Sequence, residues 1–223
     1  GGGGGGGGGE GVGGGGGCIN VGGIDEISAD FDEAIIAVDH RSMFDVAAGL
    51  IVFARYGRAP RLLVEQKYVE STWTRPFAQA IGAIAVDRAQ GRSGALDAAV
   101  ACLQAGKTVL LLPEGRLHFD PDDPLSTGPA STGVARLAAR PGAPVVAAGM
   151  LGTERVWPAG QYWPNLNPFR PRPVVTVRIA DAPVRFTGDD RHANTEQVMA
   201  GVREQMVRCQ HAIDAREQAR LSA

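Results

Sequence analysis

The chain is poor in cysteine, aromatic residues, net charge and long apolar runs, and each shortage closes off a class of protein. Its three cysteines, Cys18, Cys102 and Cys209, lie far apart in 223 residues. They are odd in number and lack the close spacing that zinc ligands or a redox dithiol require, so they read as reduced, mostly buried cytosolic thiols. Lys and Arg total 22 against 24 Asp and Glu, a net charge of -2. With no global basic field to hold a phosphodiester backbone, nucleic acid is not an expected partner. No apolar run approaches the roughly 20 residues that cross a bilayer. The N-terminus shows neither the basic nor the apolar segment of a signal peptide. Neither a membrane span nor a secretory leader is therefore expected.

Glycine is plentiful, but in one place. The first 17 positions hold 15 of the 32 glycines, and the remainder of the chain has an ordinary share. Such a tract buries no apolar surface to offset its backbone entropy; it is disordered, or stands for residues of unassigned identity. Residues 18–223 are left as one domain, long enough for a sizeable core and too short for two domains with a linker.

Beyond the tract, short apolar runs alternate with stretches of helical periodicity, the pattern of an α/β fold with a mostly parallel central sheet. Strands are predicted at Ala34–Val38, Arg61–Val64, Ile84–Val86, Thr108–Leu112, Val145–Gly149 and Val174–Ile179. Their unbroken apolar character predicts helices on both faces of the sheet. Helices are predicted at Met43–Tyr56, Thr72–Ile81, Ser93–Ala105, Thr132–Arg140 and Thr195–Arg220. In the last, Val198, Val202, Met206, Cys209 and Ile213 recur at spacings of four and three, one stripe for a core. The proline-rich segment from Trp157 to Pro173 reads as a surface excursion.

In open α/β sheets, sites gather at the carboxyl ends of strands. Three such ends carry polar chemistry. After Ala34–Val38 comes His40-Arg41-Ser42-Met43-Phe44-Asp45. Imidazole accepts a proton near neutral pH, and a carboxylate on its other nitrogen fixes the tautomer and stabilises the cation, so His40 and Asp45 are a candidate general base with its orienter. Ser42-x-x-Asp45 also reads as a capping box opening the next helix, and the two readings are compatible. The second end closes on Arg88. The third is Pro113-Glu114-Gly115-Arg116, after Val109–Leu112. A guanidinium suits phosphate oxygens, and a glycine turn lets backbone N–H groups approach an anion, so Arg88, Gly115 and Arg116 are candidates to hold a phosphate. Taken singly, each could equally be a surface ion pair or a polar turn.

In this order the blocks resemble the PlsC-like glycerolipid acyltransferases, the 1-acyl-sn-glycerol-3-phosphate acyltransferase family. The family's His-x-Ser-x-x-Asp falls on His40, Ser42 and Asp45. Gly-x-Ile-x-x-x-Arg falls on Gly82, Ile84 and Arg88, and Pro-Glu-Gly with a basic residue on Pro113, Glu114, Gly115 and Arg116. The fourth block, an apolar strand after Gly-x-Pro, falls on Gly142, Pro144, Val145 and Val146. The likeness spans roughly residues 20 to 160. Departures are Asp39 for the usual asparagine, Leu112 for phenylalanine, an arginine one place early at Arg116, Ala147 for proline and Ser131 for lysine.

The resemblance implies transfer of a fatty acyl group from a thioester on coenzyme A or acyl carrier protein to a hydroxyl of lysophosphatidic acid or a related lysolipid, in phospholipid biosynthesis. It implies no cofactor and no metal. His40 would be the base and Asp45 its orienter; Arg88, Gly115 and Arg116 would hold the acceptor phosphate, and Glu114 would fix the loop or a hydroxyl. A lipid acceptor implies peripheral attachment to the cytoplasmic face of a membrane. Trp157, Tyr162, Trp163 and Phe169 with Arg170 and Arg172 would suit a headgroup region, or would form a loop packed on the domain. Two alternatives are a thioester or ester hydrolase and a non-catalytic lysolipid-binding module.

Overall fold

The computed structural model describes residues 19–22, 33–55, 57, 59–72, 75–86, 93–140, 142–161, 163–165 and 173–222. In chain order the elements are β1 Ile19–Gly22, β2 Ile35–Val38, α1 Phe44–Arg55, β3 Arg61–Glu65, α2 Gln66–Glu70, α3 Arg75–Ala80, β4 Ile84–Val86, α4 Ser93–Gln104, β5 Val109–Leu111, α5 Gly133–Ala139, β6 Val145–Leu151, α6 Thr153–Val156, β7 Val175–Ile179 and α7 Arg191–Leu221. The seven strands form one sheet in the order β1-β7-β6-β2-β5-β3-β4. Every pairing is parallel except β6 with β7.

β2 lies at the centre, bonded to β5 on one side and β6 on the other. Its alternate residues feed two cores, as the two-residue period of a strand requires. Ile35 and Ala37 pack with Leu96, Leu103, Leu137, Val198 and Met206 from α4, α5 and α7. Ile36 and Val38 pack with Ala48, Val52 and Phe53 of α1. A sheet covered on both faces is thus what the unbroken apolar runs predict and what forms.

The predicted stripe of α7 is core: Val198, Val202, Met206 and Cys209 are fully buried. Each such side chain contributes about 1.5–3 kcal/mol relative to exposure. The stripe sits close against β6, because a Cβ on Gly149 would lie 2.4 Å from the Met206 backbone nitrogen. Burial also pushes the Cys209 thiol up to about 12, so this sulfur is an apolar filler and not a nucleophile.

Five elements differ from expectation. The helix predicted at Thr72–Ile81 is the shorter α3, Arg75–Ala80, with Pro76 suited to its first turn, while α2, running directly out of β3 over Gln66–Glu70, and α6 at Thr153–Val156 were not anticipated. α7 begins four residues early because Asp190 caps it, its side chain accepting the His192 N–H at 2.8 Å. β1 was not anticipated. The glycine tract and Cys18 lie outside the described residues.

Candidate active site

Parallel strands β2 and β5 end side by side, so the polar segments that follow them meet. His40 leaves β2 and Glu114 leaves β5, and the two are joined: Glu114 Oε2 accepts the His40 backbone N–H at 2.9 Å. Glu114 Oε1 accepts the N–H of Gly128 at 2.6 Å, and the His40 carbonyl accepts the N–H of His118 at 2.7 Å. The loop from Pro113 to Ser131 is therefore folded around the His40 peptide. Burial raises the Glu114 carboxyl above its usual range, and the two backbone donors oppose that shift. With both oxygens engaged by backbone, Glu114 acts as a loop anchor.

The imidazole is oriented from below. His40 Nδ1 lies 3.0 Å from Asp45 Oδ2, with 14% of the histidine side chain exposed and 1% of the aspartate. The same oxygen accepts the N–H groups of Arg41 and Ser42, each at 2.8 Å. Ser42 Oγ accepts the Phe44 N–H at 3.0 Å. The Asp45 bond back to Ser42 N–H is the return half of a capping box, and Ser42 Oγ caps the N–H two residues on, while the Asp45 N–H goes to the Ser42 carbonyl at 3.2 Å. Both readings of the motif hold together: the carboxylate that starts α1 also aims the ring. Ser42 further shares its one proton between the carbonyls of Thr153 at 3.0 Å and Trp157 at 2.7 Å, tying α1 to α6.

A buried ion pair underlies the site. Arg41, 2% exposed, donates from Nε to Asp39 Oδ2 at 2.9 Å and from Nη2 to Pro124 O at 2.8 Å, and sits 5.6 Å from the Phe119 ring centre. Asp39 Oδ1 accepts the Met150 N–H at 2.8 Å. Burial pushes Asp39 up from 3.8 to about 7; Arg41 opposes this, while the Asp45 charge adds to it. The pair binds the Pro113–Ser131 loop to the centre of the sheet.

Above these groups opens a cleft of about 980 Å³. His40 lines it, and with Nδ1 engaged by Asp45, Nε2 has no partner among the described residues. One wall is apolar, including Leu62, Val64, Ile81, Leu96, Leu111 and Leu137. Glu114, Gly115 and Arg116 form another part. Gly115 has φ 64, a left-handed turn that favours glycine. Its own N–H is committed to Leu112 O at 3.0 Å, so this glycine shapes the turn that presents Arg116. Arg116 is exposed and has no ion-pair partner among the described residues.

Of the candidate residues, His40, Asp45, Glu114, Gly115 and Arg116 are thus brought together. Arg88 lies outside the described residues; Val86, which ends β4 before it, lines the cleft. Tyr162, Phe169, Arg170 and Arg172 are likewise outside them. Trp157 is half-buried on the cleft wall, its indole donating to Gln161 O at 2.8 Å, whereas Trp163 is 81% exposed. Sequence reasoning passed over Arg136, a half-buried cation on α5 that also lines the cleft without an ion-pair partner among the described residues. Its signal was legible: a lone charge in the apolar helix GVARLAA.

The arrangement can remove a proton from a group at His40 Nε2, hold an anion at the mouth and shelter an apolar chain. Comparison with known proteins bears on which chemistry this is. A search of curated proteins returns no match. Among solved structures, the chain resembles the 1-acyl-sn-glycerophosphate (LPA) acyltransferase PlsC from Thermotoga maritima, with TM-score 0.59 and 18% identity over 83% of this chain and 71% of that one. At that identity the likeness concerns the fold. The family model described as Acyltransferase matches residues 18–151, a span that runs through His40, Asp45 and the Glu114 turn, and on that match the chain belongs to the acyltransferase family.

Proposed function

We propose that the protein transfers a fatty acyl group from a thioester, on coenzyme A or acyl carrier protein, to a hydroxyl of lysophosphatidic acid or a related lysolipid, as a step of phospholipid biosynthesis. The observation that carries this reading is the shared cleft: an oriented base, a long apolar wall and two arginines with no ion-pair partner among the described residues open into one cavity. A hydrocarbon chain suits the wall and a phosphate suits the arginines.

His40 Nε2 accepts the hydroxyl proton as the oxygen attacks the thioester carbonyl. Asp45 holds Nδ1–H and supports the imidazolium that forms. The carbon–sulfur bond then breaks, and the thiolate leaves with a proton returned by His40. A thioester is already activated, so no covalent enzyme intermediate and no cofactor is called for. Arg116 and Arg136, with Arg88 by its place in the motif, hold the acceptor phosphate and so bring the hydroxyl into line with the base.

No helix among the described residues is long and apolar enough to cross a membrane. We place the protein peripherally, on the cytoplasmic face of the bilayer that supplies its acceptor. The test is mass spectrometry of products formed from acyl-CoA or acyl carrier protein with lysophospholipids, glycerol phosphate and amino-lipids. One new acylated lipid is the expected result. Thiol release that needs no acceptor would make the protein a hydrolase, and lysolipid binding without turnover across donors would make it a binding module.

A further inference from the structure

Helix α1 is apolar on both sides. Between Asp45 and Arg55 it carries no polar side chain. Its inner face, Ala48, Val52 and Phe53, is buried on the sheet. On the outer side, Met43 just ahead of the helix is followed by Ala47, Leu50, Ile51 and Ala54 at spacings of four, three, one and three, a single face. Met43 and Ile51 are each 39% exposed and Ala54 is exposed. A contiguous apolar strip left open to water on a folded surface marks a place of contact.

This strip runs into the cleft. Met43, Val46 and Ala47 line the same cavity as His40, so the helix that forms part of the wall carries its apolar face out past the mouth. Its charge pattern is one-sided. The sole acid of the helix, Asp45, is buried beneath His40, and Arg55 closes the far end. Exposed Lys67 and Arg116 flank the cleft. No acid of α1 faces outward to repel an anionic headgroup.

We propose that the outer face of α1 is the surface on which the protein rests against an anionic lipid bilayer, with Met43, Leu50 and Ile51 at the acyl boundary. A lipid acceptor then moves from the bilayer past Met43 to His40 without its chain crossing water. A second copy of the chain seated on this face would cover Met43 and close the mouth, which is why a bilayer is the occupant that fits. The proposal rests on the lipid-acceptor reading above, and its test separates the two.

The experiment is flotation of the full chain with vesicles of phosphatidylcholine containing phosphatidylglycerol, for wild type, Ile51→Glu, the milder Ile51→Gln and Trp163→Ala. Ile51→Glu is expected to lose roughly tenfold or more of its vesicle partitioning, the worth of one large aliphatic side chain leaving apolar surroundings. Ile51→Gln falls between, and turnover of a short-chain lysolipid kept monomeric in solution is unchanged in both. Wild-type flotation of both Ile51 variants overturns the proposal. So does loss of flotation on Trp163→Ala alone, which moves the contact to the Trp157 loop. A change in molar mass by light scattering on Ile51→Glu overturns it in favour of a second copy. Flotation that depends on Ile51 in a protein that acylates no lipid sustains this surface and defeats the function proposed above.

Discussion

The floor of the cleft and its mouth are built in opposite ways. On the floor, Asp39, Arg41, Ser42, Asp45 and Glu114 are all buried, and each is hydrogen-bonded to named partners within the chain, with Arg41 Nη1 and Asp45 Oδ1 left without a partner among the described residues. At the mouth, Arg116 and Arg136 line the cavity with no ion-pair partner among the described residues. A buried charge must be compensated at folding, so the floor is organised before any ligand arrives. A cation in solvent carries no such demand and keeps its hydrogen-bonding capacity for an anion. Substitutions on the floor should therefore alter chemistry and stability together, and those at the mouth should alter binding alone.

His40→Ala, at the reacting group that the floor supports, should have the largest effect, and on chemistry alone. The variant should lose acyl transfer almost entirely, since a positioned base contributes about 10²–10⁴-fold. Its fold should survive, because the contacts that hold the loop run through the backbone N–H and C=O of His40 and not through its ring. Near-wild-type turnover in the purified variant would end the assignment. Asp45→Asn should follow, with turnover down about 10²-fold. An amide N–H pointed at Nδ1 leaves the proton on Nε2, where the base is needed. It also weakens the cap of α1, so a lower melting temperature should accompany the lost rate. A variant with lost rate and unchanged melting would break the coupling that the floor implies.

Arg41→Met probes the floor through stability alone. Because Asp39 is raised from 3.8 to about 7 in the folded protein, the native state holds that proton more tightly than the unfolded chain. Its contribution to stability therefore falls as pH rises from about 3.8 to about 7 and is constant above. Removing Arg41 takes away the charge that lowers this carboxyl, so the fall continues to higher pH. Denaturant melts should show a loss of about 3–5 kcal/mol at alkaline pH and a smaller one at mildly acidic pH. A loss independent of pH would mean that Arg41 acts through Pro124 and Phe119 and not through Asp39.

The floor and the mouth were not equally legible in the sequence. His40, Asp45 and the Pro113–Arg116 turn stand in motifs whose spacing is local, and the strands that carry them are unbroken apolar runs. That was enough to anticipate six of the seven strands among the described residues, whereas the meeting of the motifs in one site was implied only by the family resemblance. The partners were not legible. That Glu114 reaches the His40 N–H, 74 positions away, depends on strand order, which no local pattern encodes. Nothing in the sequence analysis singled out Arg41, yet it is among the most buried side chains, since a local i to i−2 pair with Asp39 makes burial tolerable. β1 escaped because Ile19–Gly22 is four residues beside a glycine-rich tract, too short to show a period.

Arg136 is the residue on which the contrast can be sharpened most finely, because it belongs to the mouth by chemistry and to a core helix by position. Its neighbours on α5, Val134, Ala135, Leu137 and Ala138, are buried, while Arg136 itself turns to the cleft half-exposed. If it serves an anionic acceptor, Arg136→Ala should raise the acceptor KM about tenfold with kcat nearly unchanged, the signature of lost binding that is equal in ground and transition states. Added salt should shrink the difference between variant and wild type, since screening weakens the wild-type contact and the variant has none to lose. Stability should move by no more than about 0.5 kcal/mol, as for substitutions outside a core. A large drop in melting temperature with an unchanged KM would place Arg136 with the structural charges of the floor, and would leave Arg116 and the motif arginine Arg88 to hold the phosphate.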